Sequence, residues 1–140
     1  METKNEMVLS FPALSQNEAF ARVAVAAFVA QLNPTVNEIT DIKTAVSEAV
    51  TNAIIHGYDG NCGWINLRCK VADRNIYIMI SDDGKGIEDI DKAREPLYTS
   101  KPEMERSGMG FTVMETFMDS MMVVSEPGKG TKIEMTKCLA

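Results

Sequence analysis

Two hydrophobic periods alternate along the chain, and each change of period marks a new element. Residues 7–11, apolar except for Ser10, read as a short strand ended by Pro12. Ser15 with Glu18 three positions on has the spacing of a capping box, and predicts a helix over 19–32. Asn33-Pro34 breaks it, and Thr35 with Glu38 repeats the spacing ahead of a second helix. At about 100° per residue, Ile39, Ile42, Val46, Ala49, Val50 and Ala53 form one stripe of that helix, which must face a core. The helix is expected to stop at Gly57 in the left-handed conformation that glycine adopts freely.

Period two then returns. Residues 64–71 and 75–81 predict a hairpin turning at Asp73-Arg74, with Ile76, Ile78 and Ile80 on one face. Over 88–107 the periodicity fades and Pro96 and Pro102 appear, as in a long lid-like loop. A third helix is expected from Gly108 to about residue 120. Strands 121–125 and 131–136 then flank Pro127-Gly128-Lys129-Gly130. Met109, Met114, Met118, Met121 and Met122 are expected to fill the core around that helix and the next strand. The order β, α, α, β, β, lid, α, β, β predicts an α+β fold: a two-layer α/β sandwich with a mixed, mostly antiparallel sheet and helices on one face. With no repeat and no compositional break, residues 1–140 read as a single domain.

Composition narrows the function classes. Fourteen Lys and Arg against twenty Asp and Glu leave a net charge of −6, which disfavours direct nucleic acid binding or a grip on an anionic membrane. Three cysteines without a CxxC pair, and one histidine, give neither a zinc-finger spacing nor a disulfide framework, as suits a reducing cytoplasm. No apolar run approaches the ~18 residues of a membrane span, and the polar start does not read as a signal peptide. A soluble, cytoplasmic protein is expected.

Three places carry candidate chemistry. On the second helix, Glu48 and Asn52 stack one turn apart along one flank, turned away from the apolar stripe, an acid and an amide able to serve a proton transfer and a metal. The same pair also suits a solvated helix face. By strand parity Asp82 continues the isoleucine face, where a carboxylate is costly unless hydrogen-bonded. The glycines of Asp82-Asp83-Gly84-Lys85-Gly86 permit a ligand to approach the backbone, although an ordinary Asp-Gly turn has the same composition. Ser107-Gly108-Met109-Gly110 precedes the third helix, whose first amides suit a phosphate, with Arg106 and Lys101 nearby as cations. Neither Walker spacing nor GxGxxG occurs, which removes the P-loop and Rossmann readings.

In order and content these motifs resemble the GHKL ATPase/kinase superfamily of gyrase, heat-shock chaperone, histidine kinases and mismatch-repair ATPases, with its Bergerat nucleotide-binding fold. Ser47-Glu48-Ala49-Val50-Thr51-Asn52-Ala53 looks like its N box, Asp82-x-Gly84-x-Gly86 its first glycine box, Gly108-x-Gly110 its second, and Gly130-Thr131 its final element. Residues 48–58 and 96–115, with the short length, look like the bacterial anti-sigma serine kinases of sporulation.

The resemblance implies ATP and Mg²⁺ as cofactors, with Glu48 as general base and Asn52 as magnesium ligand. It implies that Asp82 accepts the adenine amino hydrogen, that Thr131 helps hold the ring, and that Gly84 and Gly86 line the base. Lys101, Arg106, Ser107, Gly108 and Gly110 would serve the phosphates under a lid at 88–107. The activities implied are phosphorylation of an anti-anti-sigma protein on serine and, with ATP bound, sequestration of an RNA polymerase sigma factor of the sigma F type. Glu18 and Arg22, four apart on the first helix, are the candidate sigma contacts, and the exposed edge of strand 7–11 is the candidate homodimer surface. The alternatives are a histidine-kinase-type catalytic module and a nucleotide-gated binding protein with little transfer activity.

Overall fold

A computed structural model describes residues 3–94 and 110–140, apart from the Lys92 side chain. Five strands form one sheet: β1 (Asn5–Pro12), β2 (Trp64–Ala72), β3 (Asn75–Asp82), β4 (Ser120–Ser125) and β5 (Thr131–Cys138). The helices are α1 (Gln16–Val29), α2 (Val36–Asn52), the single turn α3 (Ile90–Ala93) and α4 (Gly110–Phe117). The strand order is β1-β2-β3-β5-β4, and all four pairings are antiparallel, so the expected mixed sheet has no parallel pair among the described strands.

One face of the sheet is apolar and buried, as period two requires: Ile65, Leu67 and Cys69 from β2, Ile76, Ile78 and Ile80 from β3, Ile133 and Met135 from β5. Against it α2 packs between α1 and α4, presenting Ile42, Ala45, Val46, Ala49 and Val50, all fully buried. Each such large aliphatic side chain contributes roughly 1.5–3 kcal/mol, so this stripe fixes α2 on the sheet. The predicted capping box starts that helix: Thr35 Oγ1 accepts from Glu38 N at 3.1 Å, and the Glu38 carboxylate accepts from Thr35 N at 2.8 Å. Left-handed Asn33 makes the preceding break.

The first capping box does not form. Ser15 itself has helical backbone angles and its side chain caps nothing, while Glu18 is turned along the helix to Arg22 at 3.4 Å. The β1–α1 corner is held instead by the Asn17 side chain donating to Pro12 O at 2.9 Å. The third helix is shorter than expected at its C-terminal end, because Asp119 is drawn into the sheet. Its N–H donates to Thr136 O at 2.9 Å and its carboxylate accepts from Cys138 N at 2.6 Å, which also lengthens β5. Residues 108 and 109, where that helix was expected to begin, lie outside the described residues, as does Met109 among the core methionines. Met114 and Met118 are core and Met121 is partly buried, but Met122 is exposed on the open sheet face because β4 parity turns it away from the helices.

Gly57 departs furthest from expectation. It has no left-handed backbone; α2 runs instead into one wide turn, Ala53–Gly57, closed by Tyr58 N donating to Ala53 O at 3.0 Å. The left-handed residues come later, at Asp59 and Gly60. A glycine is needed at 57 for a different reason: a Cβ there would lie 2.8 Å from an Asp82 carboxylate oxygen.

Candidate functional site

The β3 alternation that buries Ile76, Ile78 and Ile80 carries Asp82 onto the same helix-covered face, where it is 7% exposed. Burial pushes its carboxyl up to about 6 from an ordinary 3.8. The Gly84 N–H, donating at 2.9 Å, opposes that rise, neighbouring Asp83 adds to it, and the Thr131 backbone also opposes it. The antiparallel register sets Thr131 of β5 directly opposite Asp82. A buried acid therefore lies against the end of α2 on one side and the start of β5 on the other.

The glycine loop is locked onto both neighbours through Lys85, whose N–H donates to Gly57 O at 2.8 Å and whose C=O accepts from Gly128 N at 2.6 Å. This contact forbids a side chain at Gly84, since a Cβ there would meet Gly57 O at 2.1 Å. Gly86 has φ +76 and would bring a Cβ to 2.0 Å from Glu126 O. The glycines thus let three backbone segments close around Asp82.

These segments enclose a cavity of about 570 Å³, within the size range of small-molecule sites. Asn52, Asp82, Gly86, Gly110 and Thr131, five of the residues singled out from sequence, line it together. Apolar walls come from Ala53, Ile87, Phe111 and Ile133. Gly84 adjoins through its bond to Asp82. Glu48 lies one turn before Asn52 on α2, half-buried, and does not itself line the cavity. His56 does, from the wide turn. Glu88 and Asp89 line it where the expected lid begins, and the lid's first residues include α3. Lys101, Arg106, Ser107 and Gly108 lie outside the described residues. Glu18 and Arg22 are ion-paired on α1 and are not among the lining residues.

Two residues that sequence reasoning passed over organise the site. The Tyr58 hydroxyl accepts from Asp83 N at 2.8 Å and donates to Trp64 O, while its ring lies where any side chain at Gly63 would be. Ser125 contacts Ile87 N at 2.8 Å, Gly130 O at 2.9 Å and the Thr131 hydroxyl at 2.9 Å. A signal existed for the second: the hairpin around residues 127–130 makes Ser125 the cross-strand partner of Thr131.

Chemically, the cavity offers acceptors at Asp82 and Thr131, a side-chain amide at Asn52, and the first residue of a helix at Gly110. No group of three or more His, Cys, Asp or Glu among the described residues could hold a metal by itself. A single amide oxygen fits a cation such as Mg²⁺ that keeps several waters and takes its other ligands from phosphates.

Comparison with known proteins identifies the family. The model of the histidine kinase-like ATPase domain matches residues 11–137. An anti-sigma F factor of Clostridium botulinum is 63% identical over 135 residues, 96% of this chain and 94% of the relative. Anti-sigma F factors of Oceanobacillus iheyensis and Bacillus subtilis are 62% and 59% identical over 138 residues, 98% of this chain and 94% of each relative. Among solved structures, the RsbU and RsbW domains of a Mycobacterium tuberculosis protein superpose with TM-score 0.70 over 97% of this chain and 32% of that one, at 20% identity, a likeness of fold. Among the described residues no helix is long and apolar enough to cross a membrane. An α+β sandwich with a buried acid, a glycine-lined cavity and a near full-length match at about 60% identity has one assignment: the chain belongs to the histidine kinase-like ATPase domain family and, within it, to the anti-sigma F factors.

Proposed function

We propose that this chain is a single-domain protein serine kinase as well as an anti-sigma factor. It uses Mg-ATP to phosphorylate a small anti-anti-sigma protein and, with ATP bound, holds a sporulation sigma factor of the F type. The observation that carries the reading is the convergence of Asn52, Asp82, Gly86, Gly110 and Thr131 on one cavity, with Glu48 one turn from Asn52. The names of the 60%-identical relatives support the sigma partner.

In this reading Asp82 and Thr131 take the amino edge of the base, the apolar walls take its faces, and the first turn of α4 faces the phosphates. Arg106, Lys101, Ser107 and Gly108 complete the phosphate site, and residues 88–107 cover it. Mg²⁺, held through Asn52 and the phosphates, supplies charge neutralisation. Glu48 accepts the proton of the partner's serine hydroxyl as its oxygen bonds the γ-phosphorus and the bond to ADP breaks. Transfer of this kind is mostly positioning and charge placement, so the kit is sufficient. The Glu18–Arg22 pair on α1 contacts the sigma factor, and the free edge of β1 pairs with a second copy of the chain. A cytoplasmic location follows from those partners.

The nucleotide-gated part is tested by measuring affinity for the sigma factor with Mg-ATP and with no nucleotide. Mg-ATP is expected to tighten binding by about tenfold or more, a coupling of about 1.4 kcal/mol. Arg22→Ala is expected to weaken sigma binding while leaving Mg-ATP affinity unchanged. Equal sigma affinity in both nucleotide conditions contradicts the gating, and unchanged sigma affinity in Arg22→Ala removes that residue from the interface.

A further inference from the structure

The hydrogen bonds at the root of the β4–β5 hairpin leave only one assignment of protons. Ser125 Oγ has one proton and two lone pairs. Ile87 N–H, at 2.8 Å, can only donate to it, and Gly130 C=O, at 2.9 Å, can only accept from it. The serine proton is therefore spent on Gly130. The remaining contact, to Thr131 Oγ1 at 2.9 Å, is satisfied only if the threonine donates. Thr131 lines the cavity and is 8% exposed, and with its proton committed to Ser125 its hydroxyl has only a lone pair left to offer an occupant.

Thr131 is also the register partner of Asp82, whose ionised carboxylate is acceptor-only as well. Two neighbouring acceptors suit an exocyclic amine, which has two N–H groups to give. They disfavour a carbonyl oxygen at the same position, which has none. A freely rotating Thr131 hydroxyl would tolerate either.

We infer that Ser125 is a specificity-determining residue: by taking the Thr131 proton it fixes that hydroxyl as an acceptor and makes the cavity select a 6-amino over a 6-oxo purine nucleotide. Ser125 touches Thr131 and the Gly130 and Ile87 backbone, so it acts as a positioning residue. The inference rests on the nucleotide reading of the cavity given above.

The test is the ratio of Mg-ITP to Mg-ATP dissociation constants, two nucleotides that differ in the 6-oxo for the 6-amino group and in the proton that the oxo form carries on the adjoining N1. Wild type is expected to prefer ATP by more than tenfold. Ser125→Ala is expected to lower that preference by about fivefold, the scale of one hydrogen-bond reversal, chiefly through tighter ITP binding. Ser125→Thr, which keeps the hydroxyl, restores the preference. Thr131→Val lowers the preference on its own, and adding Ser125→Ala to it changes nothing further. Equal weakening of both nucleotides by Ser125→Ala, or the same effect in the Thr131→Val background, overturns the inference and leaves the nucleotide site standing. Should Ser125→Ala fail to fold, an unchanged preference in Thr131→Val alone overturns it. A wild-type chain that binds neither nucleotide overturns the nucleotide reading and the inference together.

Discussion

Glu48→Gln is expected to bind Mg-ATP within about twofold of wild type and to lose phosphoryl transfer by roughly 10²–10⁴-fold, the contribution of a positioned general base. Glutamine matches glutamate in length and shape, so the packing of α2 through Ala45 and Ala49, both fully buried, is undisturbed. What is lost is a lone pair basic enough to take a hydroxyl proton. Because Glu48 stands a turn away from the cavity lining while Asn52 is part of it, the substitution separates transfer from nucleotide binding. Single-turnover transfer to the anti-anti-sigma partner at saturating Mg-ATP reads the first quantity, and equilibrium nucleotide titration the second. Transfer at the wild-type rate would remove Glu48 from the base role.

Asp82→Asn is expected to trade function for stability. Burial holds the folded-state carboxyl at about 6, above the ordinary 3.8, so in that interval the folded protein binds the proton more strongly than the unfolded chain. The associated stability is fully present below about pH 4 and is lost as the pH rises through 6. The two-unit shift corresponds to at most about 3 kcal/mol. At pH 8 the nucleotide-free wild type therefore carries the cost of a buried ionised carboxylate, and asparagine removes it while its own Oδ1 keeps the Gly84 N–H bond. The variant should melt several degrees higher than wild type at pH 8, and the difference should close by pH 4.

Its nucleotide affinity should move the other way. An NH₂ placed where the carboxylate oxygen lay meets the base amine donor to donor, and Mg-ATP binding at pH 8 should weaken roughly 10²-fold. Wild-type affinity should also fall, relative to the variant, as the pH drops below 6 and Asp82 takes up its proton. Thermal melts and nucleotide titrations from pH 4 to 8 check both halves. A melting difference that does not depend on pH would contradict the assignment of the burial cost to Asp82.

Most of the fold and part of this site are legible in the sequence, and the reasons are local. Period-two alternation from Ile76 to Ile80 is enough to carry Asp82 onto the buried face, because strand parity has no exceptions without a bulge. Thr35 and Glu38 announce α2 because both of their capping bonds are made within four residues. The failures are tertiary. Ser15 and Glu18 have the same spacing, yet Glu18 is taken by Arg22 and the corner is held by Asn17. Gly57 reads as a helix stop, whereas what excludes a side chain there is a carboxylate 25 positions later in the chain. Tyr58 and Ser125 escaped because their roles lie in bonds to the backbone of Asp83, Ile87 and Gly130, which no side-chain motif records.

The most direct test of the central claim is phosphoryl transfer from Mg-[γ-³²P]ATP to the anti-anti-sigma protein, with the label then challenged by acid. Acid-stable label on a serine of the partner, dependent on this chain, is the predicted result. Acid-labile label on the chain itself, where His56 is the single histidine, or nucleotide binding with no label on the partner, would contradict it.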